Sequence, residues 1–452
     1  MIETTLSQIA DWCDGRLEGL DRTFAGVSTD TRTLRRGQLF VALQGDQFDG
    51  HRFVDTAATA GAAGALVQRD LETAISRVRV RDTRRSLGRL SGAWRDQLGA
   101  RLIALTGSSG KTTVKEMVAA ILTRCGAVRA TAGNLNNDIG LPLTLLEAAP
   151  EDEFLVLEMG ANAPGDIAYL VALARPDVSL VNNAGPAHLE GFGSVAGVAA
   201  AKGEIFAGLG VDGVAVFNGD DPHAPLWREL SNQYRRIEFG FDAQRDVHGV
   251  LMDRAENRLQ ISLPSGSFEL KVPLPGKHNA YNALAAVAGA FALGVGADQI
   301  RAGIESVEPV PGRLERVRGR HGATLVNDSY NANPSSLEAG LEASSHVHEP
   351  LWLVLGDMKE LGPESCAMHR EAGRTAKNRG CERLFTLGDL AAEAVEGFGP
   401  GAESHEQIES LCDALETALS ATSGGVAVLV KGSRAMRLER VVAFLAEPEG
   451  RN

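Results

Sequence analysis

Residues 102–113 read LIALTGSSGKTT, an apolar run that passes through a glycine–serine turn into Lys111, Thr112, Thr113 and a helical pattern. A strand, a flexible polar turn and a helix start in this order make a phosphate-binding loop. Gly107 and Gly110 let the backbone curl so that the N–H groups of Ser108, Ser109 and their neighbours converge on an anion at the helix N-terminus. Lys111 can reach terminal phosphates, and the Thr112 hydroxyl can ligate Mg²⁺. The loop is the compact G-x-x-G-K-T form, because Leu105 stands where the longer pattern has its first glycine. The alternative is a plain Gly/Ser turn before a helix.

Outward from this loop, the chain reads as α/β. Apolar strands LIAL, FLVL, VSLV and VAVF alternate with helices such as Val114–Thr123, which predicts a parallel sheet covered on both faces. A helix at Arg84–Leu98 leads into the loop strand. Residues 247–275 alternate in the manner of antiparallel strands, and Ala283–Ala297 reads as a buried helix too short to span a bilayer. Pro309-Val310-Pro311-Gly312 is the linker candidate. Beyond it TLVNDSY, LWLVLGDM, RLFTLGDL and VAVLVKGS repeat the strand-then-polar pattern. The expected units are a small N-terminal α/β domain (1–81), a central parallel-sheet nucleotide domain (82–312) and a C-terminal Rossmann-like domain (313–452).

Composition agrees with a globular cytoplasmic protein. A length of 452 residues predicts more than one domain, and a formal net charge of −13 argues against nucleic acid or anionic membrane as a partner. The N-terminal MIETTLSQIA lacks the basic start and apolar core of a signal peptide. Cys13, Cys125, Cys366, Cys381 and Cys412 are scattered without metal-ligand spacing and read as reduced thiols. The tail from Glu447 carries no motif.

Strand after strand ends in a polar group, and ligands of open α/β sheets bind beyond the carboxyl ends of strands. Loop polarity and helix capping explain any one ending, but not the joint arrival of Lys111, Glu158, His188 and Lys431. Glu158, closing FLVLE, is either a metal ligand or a loop anchor. His188 in NNAGPAHLEGFG is a ligand or an ordinary loop histidine. Lys202 in AAAKGEIF is a solvated helix lysine on composition alone. Asn279 and Asn282, after His278, lie one turn apart, which suits reading a base edge, although Asn279 is equally a helix cap.

The segments TGSSGKTTVKEM, TAGNLNNDIGLPLTLL, LEMGAN, VNNAGPAHLEGFGS, AKGEIF, LPGKHNAYNALAA, PGRLE, DSYNANP, LGDMKELG and VKGSRAM occur in the order of the Mur ligases, and the chain resembles that family over nearly its whole length. GNLNNDIG, NNAGPAHLEGFGS and DSYNANPSS resemble the MurF type within it. The resemblance implies ATP-dependent ligation of D-alanyl-D-alanine to UDP-N-acetylmuramoyl-tripeptide (UDP-MurNAc-tripeptide) through an acyl phosphate, giving a peptidoglycan precursor. It implies ATP as co-substrate, Mg²⁺, and a monomer without membrane insertion. A MurE-type or folylpolyglutamate ligase would share the ATP chemistry with another acceptor. A non-catalytic regulator would have lost metal ligands that are present here.

Residue by residue, the resemblance implies that Lys111 and the loop N–H groups hold the β- and γ-phosphates. Thr112 and Glu158 would ligate one Mg²⁺ and His188 a second, while Lys202 would be carbamylated and so also a metal ligand. His278, Asn279 and Asn282 would contact adenine, with Arg313 and Asp328 on the phosphates and ribose. Ser28, Thr29, Asp30, Thr31 and Arg32 resemble the segment holding the uridine diphosphate. Asn134 and Asn137 suit the muramoyl-peptide, and Asn331, Lys431 and Ser433 the dipeptide side. Lys431 is open to two roles, the dipeptide carboxylate or the ATP phosphates.

Overall fold

The computed structural model describes residues 1–253, 256–344 and 349–447; residues 254–255 of the antiparallel segment and the tail beyond Glu447 lie outside it. Three main sheets carry the fold, with a two-stranded pair, Glu3–Thr5 and Thr23–Ala25, beside the first. The N-terminal sheet has five strands, among them Val27–Ser28, Leu39–Val41 and Gly64–Val67 running parallel. Among the described residues the central sheet has nine strands and the C-terminal sheet six.

All four strands expected around the phosphate loop are present: Arg101–Thr106, Phe154–Glu158, Val178–Val181 and Val214–Asn218. Arg101–Thr106 lies between Phe154–Glu158 on one side and Val178–Val181 on the other, and it is parallel to both. The chain therefore reverses its direction of travel across the sheet at the phosphate loop. This is a topological switch point, where adjacent loops part and leave a crevice. The segment after 246 extends this sheet: Val247–Asp253 joins Arg235–Gly240 in parallel, and then pairs antiparallel with Arg258–Leu263.

Strand residues alternate between two cores, because successive side chains point to opposite faces. Ile103, Leu105, Val156 and Leu180 face the helices Lys111–Leu122 and Lys277–Ala292, while Leu102, Ala104, Leu155 and Leu157 join a core shared with the N-terminal sheet. The apolar stretch 283–297 is not one helix: Lys277–Ala292 ends, and Ala297 starts Ala297–Glu305. Small residues bring the longer helix close to the sheet, since a Cβ on Gly289 would lie 2.7 Å from Ile103 Cδ1. The helix preceding the loop strand spans Thr83–Arg95, and the one following it starts at Lys111 rather than Val114.

The C-terminal strands Thr324–Asp328, Leu351–Gly356, Cys381–Leu387 and Ala427–Lys431 appear as expected, with Glu315–Arg318 and Ala402–His405 added at the edges. Ala427–Lys431 lies between Thr324–Asp328 and Leu351–Gly356, again a switch point. Among the described residues no helix is long and apolar enough to cross a membrane.

Candidate active site

Gly110, just before the helix at Lys111, has φ +77°, which suits glycine. A Cβ there would lie 2.2 Å from Asn282 Oδ1 and 2.8 Å from Asn182 Nδ2. These two amides clamp the loop from behind. Asn182 Nδ2 donates to Ser109 O (3.0 Å) and Asn282 Oδ1 (2.9 Å), and Asn282 Nδ2 donates to Asn279 Oδ1 (3.0 Å). Asn183 Oδ1 accepts from the backbone N–H groups of Ser108 and Ser109 at 3.1 and 2.9 Å. Lys111 Nζ donates to Gly107 O at 2.8 Å. Burial pushes the Lys111 pKa down against the opposing pull of Glu158, and the charge of Arg313 adds to the lowering.

Glu158 is only 2% exposed. Its Oε2 accepts from Thr112 Oγ1 (2.8 Å) and its Oε1 from Asn136 Nδ2 (2.7 Å), the donors a buried carboxylate requires. Arg313, from beyond the linker, donates Nη2 to Thr112 Oγ1 at 2.8 Å, so the C-terminal unit reaches the phosphate loop. Asn333 Nδ2 makes a second such contact, 3.4 Å from Ser109 Oγ.

Lys202 is 1% exposed, on the helix Val195–Gly203, with Nζ 5.6 Å from the Phe192 ring centre. The solvated lysine read from composition is thus a buried one. Burial, with the charge of Lys111 adding to it, pushes its pKa down to about 7.

At the C-terminal switch point, Asp328 and Lys431 are register partners on adjacent parallel strands, and their side chains form an ion pair. Lys431 Nζ also donates to Asn331 O at 3.1 Å, and its side chain is 2% exposed. Burial raises the Asp328 pKa, against the pull of Lys431. His278 is pushed down to about 4 by burial and then by the Lys431 charge, so its ring is neutral at pH 7. His188 Nδ1 pairs with the Glu360 carboxylate, and Glu190 N–H donates to Glu360 O at 3.3 Å. Both residues are left-handed, His188 at φ +54° and Glu360 at φ +64°.

Lys111, Thr112, Glu158, His188, His278, Asp328 and Lys431 together line one cavity of about 1040 Å³ between the central and C-terminal sheets, whereas Lys202 and Glu360 do not line it. Among the described residues no cluster of three or more His, Cys, Asp and Glu could hold a metal unaided.

Family models agree with this architecture. The Mur ligase middle domain matches residues 105–290, the Mur ligase glutamate ligase domain 312–434, and the Mur ligase family catalytic domain 23–92. The chain is 43% identical over 450 residues to the UDP-N-acetylmuramoyl-tripeptide–D-alanyl-D-alanine ligase of Escherichia coli strain K12, with 99% of each sequence covered. This protein belongs to the Mur ligase family. The Bacillus subtilis strain 168 enzyme of the same name is 36% identical, also with 99% of each covered. Among solved structures, MurF from Acinetobacter baumannii superposes with a TM-score of 0.93 at 33% identity over 98% of each chain. MurF ligase from Thermotoga maritima in complex with ADP gives 0.82 at 28% identity, over 93% of this chain and 96% of that one. Folylpolyglutamate synthase of Mycobacterium tuberculosis shares the fold alone, at 18% identity and a TM-score of 0.63.

Not every residue singled out from the sequence of this Mur ligase reaches the cavity. Ser28 ends the strand Val27–Ser28 in the N-terminal sheet, Thr29, Asp30, Thr31 and Arg32 follow it, and none of the five lines the cavity. There Arg32 pairs with Asp30 at 2.6 Å, and that hydrogen bonding holds the carboxyl down to about 2. Asn134 and Asn137 do line the cavity, but Asn137 Oδ1 already accepts from Ile139 N and Gly140 N at 3.2 and 2.8 Å. Ser433 does not line it; its Oγ accepts from Lys359 N at 2.8 Å. Asn279 and Asn282 line the cavity with amides largely spent on each other, on Asn182 and on Pro275 O. Residues not singled out include Asn136, Asn182, Asn183, Asn333 and Glu360. All stand in motifs quoted above, though only Asn136 is adjacent to a residue that was chosen, Asn137.

Proposed function

We infer that this chain joins D-alanyl-D-alanine to UDP-MurNAc-tripeptide at the expense of ATP, acting as a cytoplasmic monomer with the three units 1–81, 82–312 and 313–452. The observation that carries the reading is the shared cavity. Lys111, Thr112 and Glu158 from the central sheet and Asn331 and Lys431 from the C-terminal sheet open into one space. Full-length relatives bearing that activity in their names support the choice of acceptor.

In this reading the tripeptide carboxylate attacks the γ-phosphorus of ATP; the new O–P bond forms as the bond to the β-phosphate oxygen breaks and ADP leaves. The dipeptide amine then attacks the acyl carbon, the C–N bond forms, inorganic phosphate departs and the amine loses its proton. Such transfers need positioning and charge neutralisation more than covalent help. Lys111 and the loop N–H groups from Gly110 onward supply both at the phosphates, those of Ser108 and Ser109 being held by Asn183. Arg313, lying on Thr112, adds charge from the C-terminal side.

The residues present fit Mg²⁺. Thr112 Oγ1 and the Glu158 carboxylate are in contact, and an ion that keeps waters and substrate phosphates needs only one or two protein oxygens. When bound, Mg²⁺ neutralises charge developing on the transferred phosphoryl group. His188 presents Nε2 once Nδ1 is engaged by Glu360. Lys202 suits carbamylation, because an amine whose pKa lies near 7 is substantially neutral and nucleophilic at physiological pH. His278, neutral and half-buried, borders the adenosine end. Ser28–Arg32 serve the uridine diphosphate, and Asn134 the peptide.

Phosphate release from ATP with UDP-MurNAc-tripeptide tests the reading. D-alanyl-D-alanine should raise it strongly, with pentapeptide product by mass, while single amino acids should not. Equal stimulation by a single amino acid would assign the chain another acceptor.

A further inference from the structure

The cavity is rich in cations, and nearly all are committed. Lys431 is buried against Asp328 and Asn331 O, Lys111 donates to Gly107 O, and Arg313 donates to Thr112. On the central side Arg84 pairs with Asp138 and Arg85 lies over the Tyr169 ring. Arg434, which also lines the cavity, differs. Its side chain is 58% exposed, and among the described residues its one ion pair is Nη1 to Glu439 Oε1 at 3.0 Å. Its guanidinium carbon lies 5.8 Å from the centre of the Tyr330 ring, the ring that Arg313 also covers at 4.4 Å.

The turn carrying Arg434 is firmly placed. Ser433 N–H donates to Asp357 O at 3.0 Å, and Ser433 Oγ accepts from Lys359 N at 2.8 Å. A Cβ on Gly432 would lie 2.7 Å from Leu438 Cδ1 and 3.1 Å from Gly356 Cα, so this turn packs flat on the end of a neighbouring strand. A fixed backbone with an exposed charged head is what a recognition residue needs.

We propose that Arg434, rather than Lys431, receives the C-terminal carboxylate of the acceptor dipeptide. The inference rests on the dipeptide reading above. The planar guanidinium fork takes a carboxylate through two parallel bonds, and Nε and Nη2 are outside the bond to Glu439. That bond is a solvent-exposed pair of small worth and is readily exchanged for substrate. Asn331, lining the same cavity, uses Oδ1 on the Ala332 N–H at 2.9 Å and keeps its amide nitrogen for the dipeptide.

The test compares wild type, Arg434→Gln and Arg434→Lys, each with D-alanyl-D-alanine and with D-alanyl-D-alaninamide, by phosphate release and product mass. Wild type should favour the acid over the amide by about 10- to 100-fold in kcat/KM, the scale of a charge-assisted bond. Arg434→Gln should lose most of that preference through a raised KM for the acid, with its turnover of the amide near wild type. Arg434→Lys, keeping the charge without the fork, should lie between. If Arg434→Gln still discriminates against the amide as wild type does, or if wild type accepts both equally, the proposal is overturned. If wild type ligates neither dipeptide but another acceptor, the dipeptide reading fails instead. Circular dichroism and the unchanged KM for ATP report that the variants fold.

Discussion

Asn282→Ala separates a base-reading role from a structural one. Asn282 is buried, donates to Asn279 Oδ1 at 3.0 Å and accepts from Asn182 Nδ2 at 2.9 Å. The substitution removes both bonds, each worth about 0.5–1.5 kcal/mol net, and leaves Asn279 Oδ1 without that donor in a buried place. Asn182 keeps its bond to Ser109 O, which limits the loss. The expected destabilisation is about 2–3 kcal/mol, or a fall in melting temperature of roughly 4–12 °C for a domain of this size. With its clamp loosened, the phosphate loop should bind all nucleoside triphosphates less well, so KM should rise alike for ATP and inosine triphosphate. The assays are calorimetric melting and initial rates with both nucleotides. An unchanged melting temperature together with a lost preference for ATP over inosine triphosphate would refute the clamp and return Asn282 to the base.

The other expectations concern the buried charges. Lys431→Ala should cost about 3–5 kcal/mol, because it strands the buried Asp328 carboxylate; adding Asp328→Asn should recover much of it, and a double variant no more stable than the single one would contradict the pairing. Lys202, whose pKa is depressed to about 7 from the ordinary lysine value of 10.5, carries fewer protons folded than unfolded between those values. Stability should therefore rise with pH from about 7 to 10 in carbon-dioxide-free buffer, the gain being lost again as pH falls toward 7. Lys202→Met should flatten that slope, and equal slopes in melting experiments would show that the amine is not desolvated. Glu360→Gln should loosen the hold on His188 Nδ1, seen as a changed tautomer signature in ¹⁵N-histidine spectra and a lower kcat at an unchanged KM for UDP-MurNAc-tripeptide; an unaltered His188 signal would remove Glu360 from that role.

The phosphate loop and its strand-to-helix setting were legible because they depend on local rules. Glycine at a left-handed turn, a lysine at a helix start and apolar alternation all act within a few residues. The strands at 154–158, 178–181 and 214–218 followed from the same periodicity. Glu158 at a strand end, and a separate sheet beyond Pro309–Gly312, could likewise be read along the chain.

What each polar group does was decided by tertiary contact. Lys202 and a solvated helix lysine share one local sequence pattern; only tertiary packing buries the amine, with Phe192 beside it, and burial together with the charge of Lys111 lowers its pKa. Asn279 and Asn282 have the spacing of base readers, but strand order brings Asn182 against Asn282 and turns the pair into a loop clamp. Lys431 ends its strand as a free cation would, yet parallel register sets it beside Asp328, 103 residues earlier in the chain. Hydrogen-bonding capacity and charge are written in the sequence. Which partner consumes them depends on distances between strands and loops far apart in the chain, and those distances exist only after the sheets have assembled.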